Sequence, residues 1–201
     1  MSMDAVLYIH GMGGSAAESA HYEPLFPGCR TTGLDYSGST PWEAGAEIRE
    51  EITKLKSGYD NITLVANSIG AYFSLHAGIG GLIRKAYFIS PVTDMERLIL
   101  DRMKTAGITE AELREKGRIP VDGGPDLEWE YLRWVREHPV RWDAPTRILY
   151  GSADALIPPE PVERFAAEHG AVLTVMEGGE HWFHTEEQMR FLDRWILSDR
   201  S

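Results

Sequence analysis

Ser68 lies in a sequence context that can turn a serine hydroxyl into a nucleophile. The pentapeptide 66–70, Ala-Asn-Ser-Ile-Gly, follows the apolar run 62–65 and precedes a helix-like stretch. A strand, a sharp turn and a helix in this order hold a serine hydroxyl exposed at the end of the strand, as in the G-x-S-x-G nucleophile elbow. Gly70 suits so tight a turn because it has no side chain to collide with the strand. Ala66 stands in place of the first glycine of the motif.

Three further strand-like runs end in groups that complement a nucleophilic serine. One is followed by the glycine-rich loop 10–15, one by Asp154 and one by His181. A histidine can take the proton from a serine hydroxyl, and a carboxylate can fix the tautomer of that histidine. Ligands bind outside the carboxyl ends of the strands in an open α/β sheet, so these groups are predicted to meet at that edge.

With its serine, aspartate and histidine in this chain order and its Asn-Ser-Ile-Gly turn, the sequence resembles the α/β-hydrolase family. The resemblance extends over nearly all of the chain and includes small bacterial serine hydrolases with the same turn. The segment 4–9 resembles the third strand of larger family members, so the two strands that precede it there are missing. The resemblance implies an α/β-hydrolase fold with a mostly parallel sheet.

The same resemblance implies a role for each candidate residue. Ser68 is the expected nucleophile, His181 the general base and then acid, and Asp154 the orienting carboxylate. The backbone N–H groups of Met12 and Ile69 are expected to form the oxyanion hole. No cofactor and no metal are implied.

The residues alone leave alternatives for the serine and the acid. Ser68 could cap the following helix instead of attacking a substrate. Asp154 lies in Gly-Ser-Ala-Asp, which is also good turn chemistry. Asp94 and Asp143, at the edges of a long insertion, are rival carboxylates.

The histidine has a rival as well, because His184 follows His181 by three residues. His181 is favoured because Gly178-Gly179-Glu180 before it matches the family's loop, and His184 is expected in the final helix. Two histidines at this spacing could also share a metal. Neither an H-E-x-x-H pattern nor a cysteine cluster supports such a site.

Strand-like and helix-like segments alternate along the chain, which predicts about six mostly parallel strands flanked by helices. The strand-like runs lie near 4–10, 29–34, 61–66, 85–90, 145–150 and 171–177. The helical patterns outside the long insertion lie near 16–25, 41–57, 69–80, 158–169 and 184–198.

One insertion, 92–143, is too long for a single crossover helix. Its helical patterns lie near 94–105, 109–116 and 126–137. Within a single domain spanning 1–201, this insertion is predicted to form a helical cap over the site, as insertions at this point do in the family. Trp129 and Trp134 of the insertion, and Trp182, are candidate substrate-binding residues. The alternative for the aromatic residues of the insertion is that they only pack.

The composition fits a globular domain, with 43% hydrophobic and 25% charged residues among 201. The net charge of −11 disfavours nucleic acid and anionic membranes as partners. The single cysteine, Cys29, excludes an intrachain disulfide and suits the cytoplasm. Neither a signal-peptide pattern nor an apolar run of about 20 residues is found. Monomer and dimer are equally compatible with the sequence.

The predicted reaction is two-step hydrolysis of a small-molecule carboxylic ester through an acyl-serine. Thioester, amide and lactone substrates fit the same chemistry, because all of them pass through a similar oxyanion. A lyase using the same triad is a further alternative. The alternative from another class is a small-molecule-binding protein that has kept the fold without turnover.

Overall fold

The computed structural model describes residues 3–199, and the strands of this part of the chain form one parallel sheet and one short antiparallel pair. In chain order the strands are β1 (Asp4–Ile9), β2 (Cys29–Leu34), β3 (Asn61–Asn67), β4 (Lys85–Ile89), β5 (Arg118–Ile119), β6 (Leu127–Glu128), β7 (Thr146–Gly151) and β8 (Val172–Met176). The parallel sheet has the order β2-β1-β3-β4-β7-β8, and β5 pairs with β6.

Seven α-helices lie in the described part of the chain. They are α1 (Pro41–Lys56), α2 (Ile69–His76), α3 (Met95–Ala106), α4 (Glu110–Lys116), α5 (Trp129–Glu137), α6 (Pro159–His169) and α7 (Glu186–Leu197). Short 3₁₀ turns occupy Ala16–His21, Glu23–Leu25 and Gly80–Leu82.

The central strands have continuously apolar rather than alternating sequences, because both of their faces are buried. Val6, Leu7 and Ile9 of β1 are fully buried, as are Leu64 and Val65 of β3. Strands of a parallel sheet are covered on both faces, so successive side chains need to be apolar on either side. The core therefore lies around β1, β3 and β4, and the polar residues that follow these strands come to the carboxyl edge of the sheet.

Two helix starts follow from the side chains at their caps. Thr40 caps α1, where its Oγ1 accepts a hydrogen bond from the N–H of Glu43, and Pro41 occupies the first helical position. Thr109 and Glu112 form a capping box at the start of α4.

The six predicted strands of the main sheet are confirmed, but two helix predictions are wrong in detail. The segment 16–25 forms two 3₁₀ turns rather than one helix, because Pro24 has no N–H to continue the first turn and lies in a second one that begins at Glu23. The last helix begins at Glu186 behind the cap Thr185, so His184 lies before it rather than in it. The β5–β6 pair was not predicted, since strands of two residues carry no periodicity.

Residues 94–140 form a compact unit of their own, inserted in the chain between β4 and β7. The residues before and after this insertion form the other unit, which contains the parallel sheet. The predicted role of the insertion as a cap stays a prediction. Within residues 3–199, the helices are too short or too polar to cross a membrane.

Candidate active site

Ser68 stands alone between β3, which ends at Asn67, and α2, which starts at Ile69. Its backbone angles are φ 51° and ψ −119°, a region that residues with a side chain rarely adopt. The Ser68 N–H donates to the carbonyl of Ile89 at 3.0 Å, and the Ser68 carbonyl accepts from the N–H of Val92 at 3.1 Å. The strained turn is therefore held from both sides by the end of β4 and the residues after it.

Two glycines allow the chain to approach this turn closely. A Cβ added to Gly70 would collide with the carbonyl oxygen of His10 and lie 2.9 Å from the carbonyl oxygen of Ile9. A Cβ on Gly11 would lie 3.2 Å from the Cβ of Ser68. The loop after β1 therefore packs directly against the turn, which explains the glycines at both positions.

The structure brings Ser68, His181 and Asp154 into one chain of hydrogen bonds. The distance from Ser68 Oγ to His181 Nε2 is 2.9 Å, and that from His181 Nδ1 to Asp154 Oδ2 is 2.7 Å. With Nδ1–H donating to the carboxylate, Nε2 is the acceptor for the serine hydroxyl. The side chain of Asp154 is fully buried, whereas that of His181 is 16% exposed. Ser68 and His181 are thus partly exposed, whereas the carboxylate is shielded from solvent.

The cost of burying the Asp154 carboxylate is offset by hydrogen bonds to its second oxygen. Oδ1 accepts the main-chain N–H groups of Leu156 at 2.8 Å and Ile157 at 2.9 Å. A buried carboxylate without such partners would be strongly destabilising. These bonds fix the carboxylate plane, so that Oδ2 is directed at the imidazole.

The loops after β7 and β8 are bonded to each other, which brings the acid and the histidine together. The N–H of Ala153 donates to the carbonyl of Gly179 at 2.8 Å, and the N–H of Gly178 donates to Ser152 Oγ at 2.8 Å. A Cβ on Gly151 would collide with the Gly179 carbonyl. The glycines before His181 therefore permit this contact between the two loops.

The rival residues make other contacts. His184 Nδ1 lies 2.6 Å from the carbonyl oxygen of Trp182, and the His184 N–H donates to Gln188 Oε1 at 3.1 Å. Asp94 caps α3 by accepting the N–H of Arg97 at 2.9 Å. His181, not His184, is hydrogen-bonded to Ser68 in this arrangement.

The candidate oxyanion donors lie in the two segments that flank the serine. Gly11 and Gly14 close a turn through a 3.2 Å hydrogen bond, with Met12 second in that turn and Gly13 third at φ 76°. The Met12 N–H is not used by the hydrogen bond that closes the turn. Ile69 is the first residue of α2, where an N–H has no partner within its own helix.

The loop at 10–14 has supports that the sequence analysis missed. The ring of Tyr36 stacks on His10 with centroids 4.4 Å apart, and its hydroxyl donates to the His10 carbonyl at 3.0 Å. Burial raises the pKa of Tyr36 to about 12, so its hydroxyl remains a donor at neutral pH. The order Ser15-x-x-Glu18 signalled a capping box that fixes the far end of the loop.

Residues 6–194 match the sequence profile of the alpha/beta hydrolase family. The chain belongs to the α/β-hydrolase family. None of the curated proteins with which the sequence was compared matches it.

Solved structures share the fold of this α/β hydrolase at low sequence identity. Est1E from Butyrivibrio proteoclasticus superposes with a TM-score of 0.79 at 17% identity, covering 99% of this chain and 87% of that one. Alpha/beta hydrolase domain-containing protein 10 from mouse has a TM-score of 0.68 at 16% identity, with 98% and 90% covered. An esterase from Pyrococcus furiosus has a TM-score of 0.62 at 17% identity, with 99% and 81% covered.

The three candidate tryptophans of this α/β hydrolase fall in different units. Trp182 follows His181 directly and is 67% exposed. Trp129 and Trp134 belong to α5 in the unit 94–140, and a substrate contact for them stays a prediction. Within the described range 3–199, His, Cys, Asp and Glu side chains form no group of three or more that could hold a metal ion.

Proposed function

We propose that this α/β hydrolase is a serine hydrolase that cleaves a carboxylic ester of a small molecule through an acyl-serine intermediate. The observation that carries this assignment is the hydrogen-bonded chain Ser68 Oγ–His181–Asp154. The same three residue types in this geometry activate serine on several unrelated folds.

Acylation begins when Ser68 Oγ attacks the ester carbonyl and its proton passes to His181 Nε2. The imidazolium that forms is stabilised by Asp154, which stays ionised. The carbonyl oxygen becomes an oxyanion that accepts the N–H groups of Met12 and Ile69. His181 then gives its proton to the departing alcohol, and the acyl group remains on Ser68.

Deacylation repeats the sequence with water in place of the serine. His181 Nε2 takes a proton from the water, whose oxygen attacks the acyl-serine carbonyl. The second oxyanion uses the same two N–H donors. Collapse releases the carboxylic acid, and the proton on His181 returns to Ser68 Oγ.

The names of two structural neighbours favour an ester over other acyl compounds. The Pyrococcus furiosus protein is called an esterase, and another structure of Est1E is described with ferulic acid bound. Both are below 20% identical to this chain, so their similarity shows a common fold, and ester cleavage by this chain is our proposal. We take the substrate to be an uncharged or weakly charged ester, because the net charge of −11 opposes a polyanion. We place the protein in the cytoplasm, which suits its single cysteine.

A fluorophosphonate probe tests this function directly. Intact-mass spectrometry of the wild type should show one adduct, which Ser68→Ala should lose. Ser57→Ala, at the exposed end of α1, is the matched control and should label like the wild type. An adduct on Ser68→Ala, or none on the wild type, would contradict the assignment, and the second result would favour a binding protein without turnover.

A further inference from the structure

Trp182 is the most exposed large apolar side chain in the described part of the chain, at 67%. Trp142 and Trp195, by contrast, are 7% and 4% exposed. Single exposed hydrophobic residues are common and need no explanation. The position of Trp182 is what makes it informative, because its neighbour in sequence is His181.

The ring of Trp182 is held in its exposed position. It stacks on the ring of His184, with centroids 4.7 Å apart and planes inclined by 20°. His184 is itself fixed. Its main-chain N–H donates to Gln188 Oε1 at 3.1 Å, and its ring Nδ1 lies 2.6 Å from the Trp182 carbonyl oxygen. Gln188 is buried and donates to Glu180 at 3.2 Å. One face of the indole is thus supported by a rigid assembly, as a binding platform requires.

A second exposed apolar side chain lies beside the acid. Leu156 is 63% exposed, and its main-chain N–H is bonded to Asp154 Oδ1. Asp154 and His181 are in direct contact. Each of these two residues is therefore followed within two positions of the chain by an apolar residue that is exposed to solvent.

The chemistry of the proposed reaction decides which part of a substrate meets this surface. The histidine protonates the leaving oxygen, so the alcohol portion must depart next to His181 Nε2. The oxyanion donors Met12 and Ile69 belong to the other segments that flank Ser68. The alcohol portion consequently departs beside the histidine that precedes Trp182 in the chain and that contacts Asp154, to which the Leu156 N–H is bonded.

We infer that Trp182 and Leu156 bind the alcohol portion of the ester, and that this portion is aromatic or similarly large and flat. The assignment rests on the function proposed above. A flat ring can lie on the indole face and gain both buried area and stacking. The acyl group is then left to the region around Met12.

Two acetates with primary alcohols test the inference. Methyl acetate and 1-naphthylmethyl acetate give the same acetyl-serine, so their deacylation rates are identical and only acylation differs. We expect kcat/KM of the wild type to favour the naphthylmethyl ester by about tenfold or more. Turnover by Ser68→Ala is subtracted from both.

The variants separate binding from a general disturbance of His181. Trp182→Ala should reduce the naphthylmethyl-to-methyl ratio of kcat/KM by about tenfold, and Trp182→Phe should restore part of it. Val175→Ala, which changes a 48% exposed side chain in β8, is the matched control and should leave the ratio unchanged. A merely structural role of Trp182 would lower both kcat/KM values together and keep their ratio.

The outcomes distinguish this inference from the function on which it rests. Ser68-dependent hydrolysis of both acetates with a ratio near one, or a ratio that Trp182→Ala does not change, would overturn the alcohol site and leave the hydrolase intact. Absence of Ser68-dependent hydrolysis together with absence of a fluorophosphonate adduct would overturn both.

Discussion

The main-chain carbonyl of Ser68 accepts the N–H of Val92 at 3.1 Å, so the serine that follows β3 is tied to the segment that follows β4. Ser90, two residues before Val92, has φ 44°, and Ser68 has φ 51°. Of the described residues other than glycine, these two have positive φ. A strained serine therefore follows each of the neighbouring strands β3 and β4, and each strained backbone costs about 1–3 kcal/mol.

Strain at Ser68 predicts that glycine is more stable there than alanine. We expect Ser68→Gly to exceed Ser68→Ala by about 1 kcal/mol in free energy of unfolding, measured with urea, because glycine adopts positive φ freely. Both variants should lose at least about 10³-fold in kcat/KM for 4-nitrophenyl acetate. Ser57 at φ −74° is the control, where alanine should be the more stable of the same pair. Greater stability of Ser68→Ala would show that the turn is unstrained.

His181→Ala should damage activity far more than His184→Ala. The first removes the imidazole 2.9 Å from Ser68 Oγ and should lower kcat/KM by at least about 10³-fold. The second removes a ring that contacts Trp182 and should cost less than about tenfold with 4-nitrophenyl acetate. Fluorophosphonate labelling rates of the two variants provide a second measurement, and the reverse ranking would transfer the role to His184.

The pH–rate profile should show an acid limb and no alkaline limb up to about pH 10. The acid limb is expected because protonation removes the Nε2 lone pair of His181, which accepts the proton of the Ser68 hydroxyl. Burial raises the pKa of Tyr36 to about 12, so its bond to the His10 carbonyl persists through neutral and mildly alkaline pH.

The raised pKa of Tyr36 also makes the free energy of unfolding depend on pH in a defined direction. Because the folded-state pKa of Tyr36 exceeds the ordinary value of 10.0, its contribution is complete below pH 10 and declines as pH rises towards about 12. Urea unfolding at several pH values checks this, with Tyr36→Phe as the control that lacks the titrating group.

A pH–rate profile that stays flat on the acid side would contradict a histidine base.

Gly70→Ala should lower both stability and activity. The new methyl group would collide with the His10 carbonyl, and a shift there moves the loop that carries Met12. We expect a loss of about 1–3 kcal/mol in free energy of unfolding and a lower kcat. Gly81→Ala is the control, because a Cβ there meets nothing within 4 Å. Equal thermal stability and kcat in the two variants would rule out close approach at Gly70.

The strands of the sheet and the positions of the candidate site residues could be predicted from local patterns in the sequence. Apolar runs marked β1, β3, β7 and β8, and each was followed by a glycine-containing turn with a polar residue. Such patterns need only neighbouring residues, so they are visible without any tertiary contact.

The support of the site could not be predicted in the same way. Tyr36 reaches His10 from a loop 26 residues away, and nothing in its own neighbourhood marks it for that role. The positive φ of Ser90 could not be predicted either, because serine has no preference for it and its N–H is bonded to Leu149 on a strand distant in sequence. Contacts between segments distant in sequence determine both the position of Tyr36 and the backbone conformation of Ser90.

The chain order of the three site residues has a consequence for biosynthesis. Ser68 is translated early, whereas Asp154 and His181 follow β7 and β8, the last strands of the sheet. A ribosome-bound chain that ends before β7 carries the serine without either partner. The hydrogen bond from Ser68 Oγ to His181 can therefore form only once the chain extends past β8, so under the proposed function a shorter nascent chain holds no activated serine.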